Sequence, residues 1–138
     1  MSAMSFDFGK SHIGVATIEL TTCTVNPRGI LAAKNGKPNN QQLDDLLKEW
    51  RPTELIVGLP LNMDNSESAM SKASRKFGKF LQRRFSLPVH FVDERLTTVE
   101  SRSRTNDGRQ DHAIAACMIA ESWLHERVAT KHRGNSNS

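Results

Sequence analysis

Several acidic residues of this chain stand directly after short apolar segments that are typical of β-strands. Asp7 follows Phe6 and precedes a glycine turn, and Asp93 and Glu94 follow the apolar segment 87–92. Aspartate is a poor strand former, and a buried carboxylate is costly unless something neutralises it. The alternative is an aspartate that hydrogen-bonds to its own turn. We expect Asp7 instead to share a divalent cation with carboxylates from the far end of the chain.

The chemistry that such a cluster supports follows from its ligands. Carboxylates repel one another unless a cation lies between them, and hard oxygen ligands suit Mg²⁺ or Mn²⁺. Two such ions can activate a water molecule and stabilise the leaving oxygen during phosphodiester hydrolysis. The candidate ligands are acids that follow predicted strands or begin a predicted helix, namely Asp7, Asp64, Asp93, Glu94 and Asp111.

The elements predicted from hydrophobic patterning bring these acids to one edge of a sheet. Five strands are predicted, at residues 2–8, 12–20, within 23–33, 54–59 and 87–92. Three main helices are predicted, at about residues 40–50, 66–84 and 113–128. Residues 35–38 and 101–110 are predicted to be loops. We expect an α/β fold with a mixed five-stranded sheet, in the order third, second, first, fourth, fifth strand, and helices on both faces.

The composition indicates a single reduced domain with a polyanionic partner. The chain has 138 residues, 37% of them hydrophobic, with a net charge of +4. No segment has the length of a membrane span or the pattern of a signal peptide. We expect one domain over residues 1–130 and a disordered tail over 131–138. Cys23 and Cys117 lack metal-ligand spacing and are predicted to be reduced core residues.

Four motifs, in this order along the chain, carry a resemblance to a known family. They are Asp7-Phe8-Gly9 followed by Ile13-Gly14-Val15-Ala16, then Glu54-Leu55-Ile56-Val57-Gly58-Leu59-Pro60-Leu61-Asn62-Met63-Asp64, then Asp93-Glu94-Arg95-Leu96-Thr97-Thr98, and finally Asp111-His112-Ala113-Ile114-Ala115-Ala116. Over roughly residues 5–125 the chain resembles the YqgF family. This is a RuvC-like group with the ribonuclease H fold, described both as pre-ribosomal RNA nucleases and as Holliday junction resolvases.

The resemblance implies a cytoplasmic, Mg²⁺-dependent nuclease (or one using Mn²⁺) that trims the 5′ end of the 16S ribosomal RNA precursor during ribosome biogenesis. The family's catalytic and metal-binding acids fall on Asp7, Glu94 and Asp111. Junction resolution on branched DNA is the alternative activity, and a non-catalytic nucleic-acid-binding module is a third hypothesis. No membrane association is expected, and the chain is expected to be a monomer or a weak homodimer.

Each assignment has a simpler interpretation beside it. Asp111 alone would be interpreted as a helix N-cap, and Asp93 competes with Glu94 as the metal ligand. His112 is a candidate for assisting proton transfer. The positive side chains expected to contact nucleic acid would otherwise be solvated surface or, for Arg95, the partner of an acid. These are Lys10, Lys72, Lys76, Lys79, Arg95 and Arg104.

Overall fold

The computed structural model describes residues 1–60, 64, 68–93 and 108–136, and within the last helix it describes the side chains of residues 112–127. The strands are β1 (Ser2–Asp7), β2 (His12–Glu19), β3 (Thr24–Lys34), β4 (Lys37–Pro38), β5 (Glu54–Leu59) and β6 (Val89–Asp93). The helices are α1 (Asn40–Trp50), α2 (Ala69–Phe85) and α3 (Gly108–Ser136).

The sheet is mixed and has the strand order β4-β3-β2-β1-β5-β6. β1, β5 and β6 are parallel, whereas β1–β2, β2–β3 and β3–β4 are antiparallel. The predicted order of five strands is confirmed, but the predicted count is wrong because β4 adds a sixth strand at the edge. Asn35 and Gly36 have φ of 51° and 81°. Asn-Gly with positive φ at both positions is the signature of a two-residue hairpin turn, and it converts the predicted loop at 35–38 into a short hairpin.

Helices cover both faces of the sheet, as predicted. On one face, Leu43 and Leu47 of α1 and Phe77 and Leu81 of α2 pack against Phe6 and its neighbours. On the other face, Ile119, Ala120 and Trp123 of α3 pack against Ala3, Ile18, Ile56 and Val92. Side chains alternate between the two faces of a strand. Consequently Ala3, Ser5 and Asp7 of β1 share the face covered by α3, and Met4 and Phe6 share the other.

α1 has the predicted range, whereas α2 begins three residues later than predicted and α3 is longer than predicted at both ends. Asn39 caps α1, because its side chain accepts a hydrogen bond of 3.1 Å from the backbone N–H of Gln42. Ser68 caps α2, which therefore begins at Ala69 and not at 66. α3 begins at Gly108, inside the segment predicted to be a loop, because nothing between 109 and 113 interrupts the helix. It continues to Ser136, so residues 131–136 are helical where a tail was expected. The division into one domain and a tail stays a prediction.

Two further observations concern the cysteines and membrane association. Cys23 is exposed, in a turn where its φ is 55°, so its predicted core position is wrong. Cys117 on α3 is half-buried. Among the helices that the structure describes, none combines the length and the apolar character that crossing a bilayer requires.

Candidate active site at the carboxyl end of the sheet

Asp7 is the last residue of β1, a strand in the middle of the sheet. Its side chain is only 12% exposed. The residues before it in β1 pair with β2 on one side and β5 on the other, which holds the carboxylate at the edge where three parallel strands end. Open α/β sheets place their binding sites at this edge.

His112 of α3 is the described partner of this carboxylate. Its Nδ1 lies 2.8 Å from Oδ2 of Asp7, across 105 residues of sequence. Because an ionised carboxylate only accepts hydrogen bonds, the Nδ1–H of His112 is the donor when Asp7 is charged. The contact therefore connects the start of α3 directly to the end of β1.

Two glycines make room for this approach. A Cβ built on Gly14 would overlap the backbone carbonyl of His112, so a side chain at this position is incompatible with the observed path of α3. A Cβ on Gly9 would lie 2.5 Å from the backbone carbonyl oxygen of His12 and 3.1 Å from Cε1 of His112. Glycine is required wherever another backbone approaches this closely. Gly14 thus serves the packing of α3 over Asp7, whereas Gly9 is required mainly by the close approach of the His12 carbonyl.

The other predicted acids are distributed around this pair. Asp93 ends β6 and pairs in register with Leu59 of β5, two strands from Asp7. Neighbouring strands are about 4.8 Å apart, so β6 lies about 10 Å from β1 at this edge. Glu94 follows Asp93 but lies outside the described residues. Asp64 is exposed.

Asp111 precedes His112 within the first turn of α3. Since α3 begins three residues earlier, the N-cap interpretation of Asp111 is wrong. The side chain of Asp111 is not among those described, but the side chain of the next residue, His112, contacts Asp7. The contact places the start of α3 close to the end of β1, and the role of Asp111 itself stays a prediction.

The residues at this edge suit a hard divalent cation in their donor chemistry. Asp7 presents carboxylate oxygens, and positions 94 and 111 would add two more carboxylates next to described residues of the same edge. Among the side chains that the structure describes, no group of three or more His, Cys, Asp or Glu residues could hold a metal ion. A metal site here would therefore need at least one acid from outside the described side chains, and Glu94 and Asp111 stay the predicted ones.

The predicted positive residues fall into two groups. Lys10 is exposed in the turn after Asp7, and Lys72, Lys76 and Lys79 are exposed along α2. The spacing of the three α2 lysines, four and then three residues, places them on one side of the helix. Arg95 and Arg104 lie outside the described residues.

α3 also carries a thiol close to this region, that of Cys117. Burial, together with the negative charge of Glu121, raises the pKa of Cys117 to about 11. It is therefore a neutral thiol at physiological pH and lacks the thiolate that a nucleophile needs.

Sequence reasoning missed two features of this region. The pairing of His112 with Asp7 had no local signal, because it depends on how α3 packs. The Asn35-Gly36 turn did have one, since Asn-Gly between strand-like segments is a strong hairpin signal.

The fold defines the class of protein. The chain superimposes on the RuvC of Thermus thermophilus in complex with a Holliday junction substrate with a TM-score of 0.59, over 94% of this chain and 97% of that one, at 12% sequence identity. The yeast mitochondrial Holliday junction resolvase Ydc2 gives 0.57 at 9% identity, over 96% and 81% of the two chains. The structure therefore has the RuvC-like, ribonuclease H-like fold that was predicted.

Sequence comparison identifies the family within that class. The family model RuvX, described as "Holliday junction resolvase", matches residues 1–126. A protein of Nitrosococcus oceani is 44% identical over 137 residues, which cover 94% of this chain and 90% of the relative. One of Sodalis glossinidius is 44% identical over 133 residues, covering 91% and 94%. Both carry the name "Putative pre-16S rRNA nuclease". This chain belongs to the RuvX family, also called YqgF, as its motifs predicted.

Proposed function

We propose that this protein is a divalent-metal-dependent nuclease that processes the 5′ end of the 16S ribosomal RNA precursor. The names of its relatives support the substrate, and membership of the RuvX family supports hydrolysis of phosphodiester bonds. A precursor of ribosomal RNA is met in the cytoplasm, where we place the protein as a monomer or weak homodimer.

The observation that carries the proposal is the environment of Asp7. A carboxylate that is 12% exposed, at the carboxyl end of a central strand, contacts the helix that bears Asp111. Burial of a carboxylate is costly, and a purely structural role would require only the neighbouring His112. The additional acids at positions 94 and 111 exceed that need and favour a cation.

Asp7, Glu94 and Asp111 are the proposed catalytic residues and metal ligands, for Mg²⁺ or Mn²⁺. The cation would activate water and stabilise the leaving oxygen of the cleaved phosphodiester. His112 would orient Asp7 through its Nδ1–H, in the way that hydrogen-bonded partners orient metal-binding carboxylates in other proteins.

The positive residues would hold the backbone phosphates of the substrate. Lys10 lies three residues beyond Asp7, and the α2 lysines extend the positive surface away from it. Phosphate contacts of this kind supply affinity that falls with salt concentration and position the strand for cleavage. The proposed nucleic-acid-binding residues are Lys10, Lys72, Lys76, Lys79, Arg95 and Arg104.

A second candidate function is resolution of branched DNA. The similarity in fold to RuvC and the description of the RuvX family both favour it. Resolvases cut two strands symmetrically, which a closed two-fold dimer would explain. The solution mass at working concentration therefore helps to separate the two functions.

The test is a cleavage assay with the Asp7→Asn variant. Precursor RNA spanning the 5′ end of 16S rRNA and a four-way DNA junction are incubated in parallel with Mg²⁺, Mn²⁺ or EDTA. We expect wild type to cleave the RNA only with metal. We expect the cleavage rate of Asp7→Asn to fall by more than the roughly 100-fold that is typical when a hydrogen-bonding partner of a metal ligand is removed.

The matched control is Asp45→Asn, which removes an exposed carboxylate from α1. Far-UV circular dichroism verifies that both variants fold. Cleavage by Asp7→Asn at the wild-type rate would contradict the metal-site proposal. Cleavage of the junction alone would replace RNA processing by resolution.

A further inference from the structure

A groove lies on the opposite face of the sheet from Asp7, close to the end of β1. It has a volume of about 510 Å³ and is formed by the β1–β2 turn, the β3–β4 hairpin and α2. Pockets that bind small organic groups typically measure about 300–1,000 Å³. The groove is thus large enough for a nucleotide.

The floor of the groove is aromatic. The ring centroids of Phe8 and Phe77 lie 5.1 Å apart, and those of Phe77 and Phe80 lie 6.5 Å apart in a stacked arrangement. Phe8 and Phe77 are 8% and 4% exposed, whereas Phe80 is half-buried. Phe80 is therefore the ring most available to a group that enters the groove.

The wall opposite α2 is held in a defined position. The backbone N–H of Gly36 donates to the carbonyl of Lys10 at 2.9 Å, which ties the β3–β4 hairpin to the β1–β2 turn. A Cβ on Gly36 would lie 3.0 Å from Cζ of Phe8, so this turn rests on the Phe8 ring. The groove is consequently built by tertiary contacts and is formed before any ligand binds.

The rim of the groove is positive. Among the described residues that line it, Lys10, Lys37 and Lys76 are lysines and none is acidic. They come from three separate elements and surround the aromatic floor. Single-stranded nucleic acids are bound in this way, by cations that contact the phosphates and aromatic rings on which the bases stack.

Arg84 contacts the Phe80 ring and is not one of the residues that line the groove. Its Nε and Nη2 donate to the Asp44 carboxylate at 2.8 and 2.7 Å, and its guanidinium carbon lies 5.9 Å from the Phe80 centroid. The same ion pair lowers the pKa of Asp44, mainly through the hydrogen bond to Arg84. The charge of Arg84 is therefore matched by a carboxylate of α1.

We propose that this groove binds one unpaired nucleotide of a single strand, with its base against Phe80 and its flanking phosphates on Lys10, Lys37 and Lys76. The inference rests on the proposed function, because it presumes a nucleic-acid substrate. Phe8 follows Asp7 directly, so the groove begins one residue from the candidate active site. A strand that passes over the end of β1 would place one base in the groove and a neighbouring phosphodiester near Asp7.

The experiment compares two fluorescein-labelled RNA hexanucleotides of equal charge, one of uridines and one without bases, by fluorescence anisotropy in EDTA. Wild type should bind the base-bearing strand about tenfold more tightly. Phe80→Leu should lose most of this preference, whereas Phe80→Trp, which keeps an aromatic face, should retain it. The matched control is Phe85→Leu, the same change at a half-buried position of α2 outside the groove.

The lysines are tested by salt dependence. Lys76→Gln should lower the slope of log affinity against log salt by about one for both strands, with the preference for bases retained. Lys48→Gln, an exposed lysine of α1 outside the groove, should behave as wild type.

The outcomes separate the two proposals. If Phe80→Leu keeps the preference, or wild type binds both strands equally, the groove is not a base site, and the cleavage assay still decides the nuclease proposal. If wild type binds neither strand, the groove proposal is contradicted, and the cleavage assay on precursor RNA decides separately whether nucleic acid is the substrate. If Phe80→Leu loses the preference for the base-bearing strand and Phe80→Trp retains it, misfolding is excluded as the cause of the loss.

Discussion

The two faces of β1 differ in what they bury and in how the buried groups are held. Toward α3 the strand presents Ala3, Ser5 and Asp7, and toward α2 it presents Met4 and Phe6. On the first face Ser5 and Asp7 each make a polar contact to α3, at 2.7 Å to the Ala116 carbonyl and 2.8 Å to His112. On the second face the contacts are aromatic and apolar.

The difference has a consequence for tolerance to change. The α3 face depends on close approach between backbones, with polar groups that require defined partners. The α2 face depends on side-chain volume, which neighbouring residues can partly readjust. Substitutions on the α3 face should therefore have sharper effects than chemically similar ones elsewhere.

The largest effect is expected for Gly14→Ala. The new methyl group would overlap the His112 carbonyl, which belongs to helix backbone and cannot rotate away. We expect a loss of about 3 kcal/mol or more in the free energy of unfolding, at the upper end for overpacked sites. Urea denaturation measures it.

Gly29→Ala is the matched control on the neighbouring strand. Gly29 pairs with Val15, has a φ of 96°, and has nothing within 4 Å of a built Cβ. Only backbone strain acts there, so about 1 kcal/mol is expected. Equal losses in the two variants would show that the approach of α3 is not what requires glycine at position 14.

An intermediate effect is expected for His112→Ala, which removes the donor to Asp7. Loss of a hydrogen-bonding partner of a metal ligand typically costs about 10–100-fold in activity or metal affinity. We expect a fall in kcat of this size in the Mg²⁺ assay, with KM for RNA little changed. His112→Asn, which can still donate, should recover part of the activity.

His125→Ala controls for a change of histidine on the same helix, since His125 is exposed. A raised KM with unchanged kcat in His112→Ala would assign His112 to substrate binding and not to orientation of Asp7.

The smallest effect distinguishes two buried serines. Ser5 donates to α3 across 111 residues, whereas Ser74 donates at 2.9 Å to Met70 of its own helix. Ser5→Ala should cost about 1 kcal/mol of unfolding free energy. Ser74→Ala should change it by less, because the better helix propensity of alanine offsets a local bond. A larger loss for Ser74→Ala would contradict the contrast between the faces.

Much of the fold was predictable because the signals are local. Short apolar segments and the order of strands and helices lead to the observed sheet order with few alternatives. The sixth strand was predictable in principle from Asn35-Gly36. The start of α3 at Gly108 was not, because the polar segment before it resembles a loop.

The candidate site was predictable only as a set of residues. The acids after strands and the four motifs single out Asp7, Glu94 and Asp111, and their roles stay predictions. The partnership of Asp7 with His112 could not be derived, since no spacing rule relates residues 105 positions apart. The aromatic groove was also missed, because Phe8, Phe77 and Lys37 meet only in three dimensions.

The amino-acid sequence alone determined the class of fold, the family and the alternation that directs Asp7 to one face of β1 and Phe6 to the other. These follow from periodicity and motif order, which are properties of neighbouring residues. Tertiary structure decided that α3 crosses Gly14 closely enough for His112 to reach Asp7, and that two turns and α2 enclose a groove. Such contacts depend on how whole elements pack, and packing is set by the shapes of surfaces formed from distant parts of the chain.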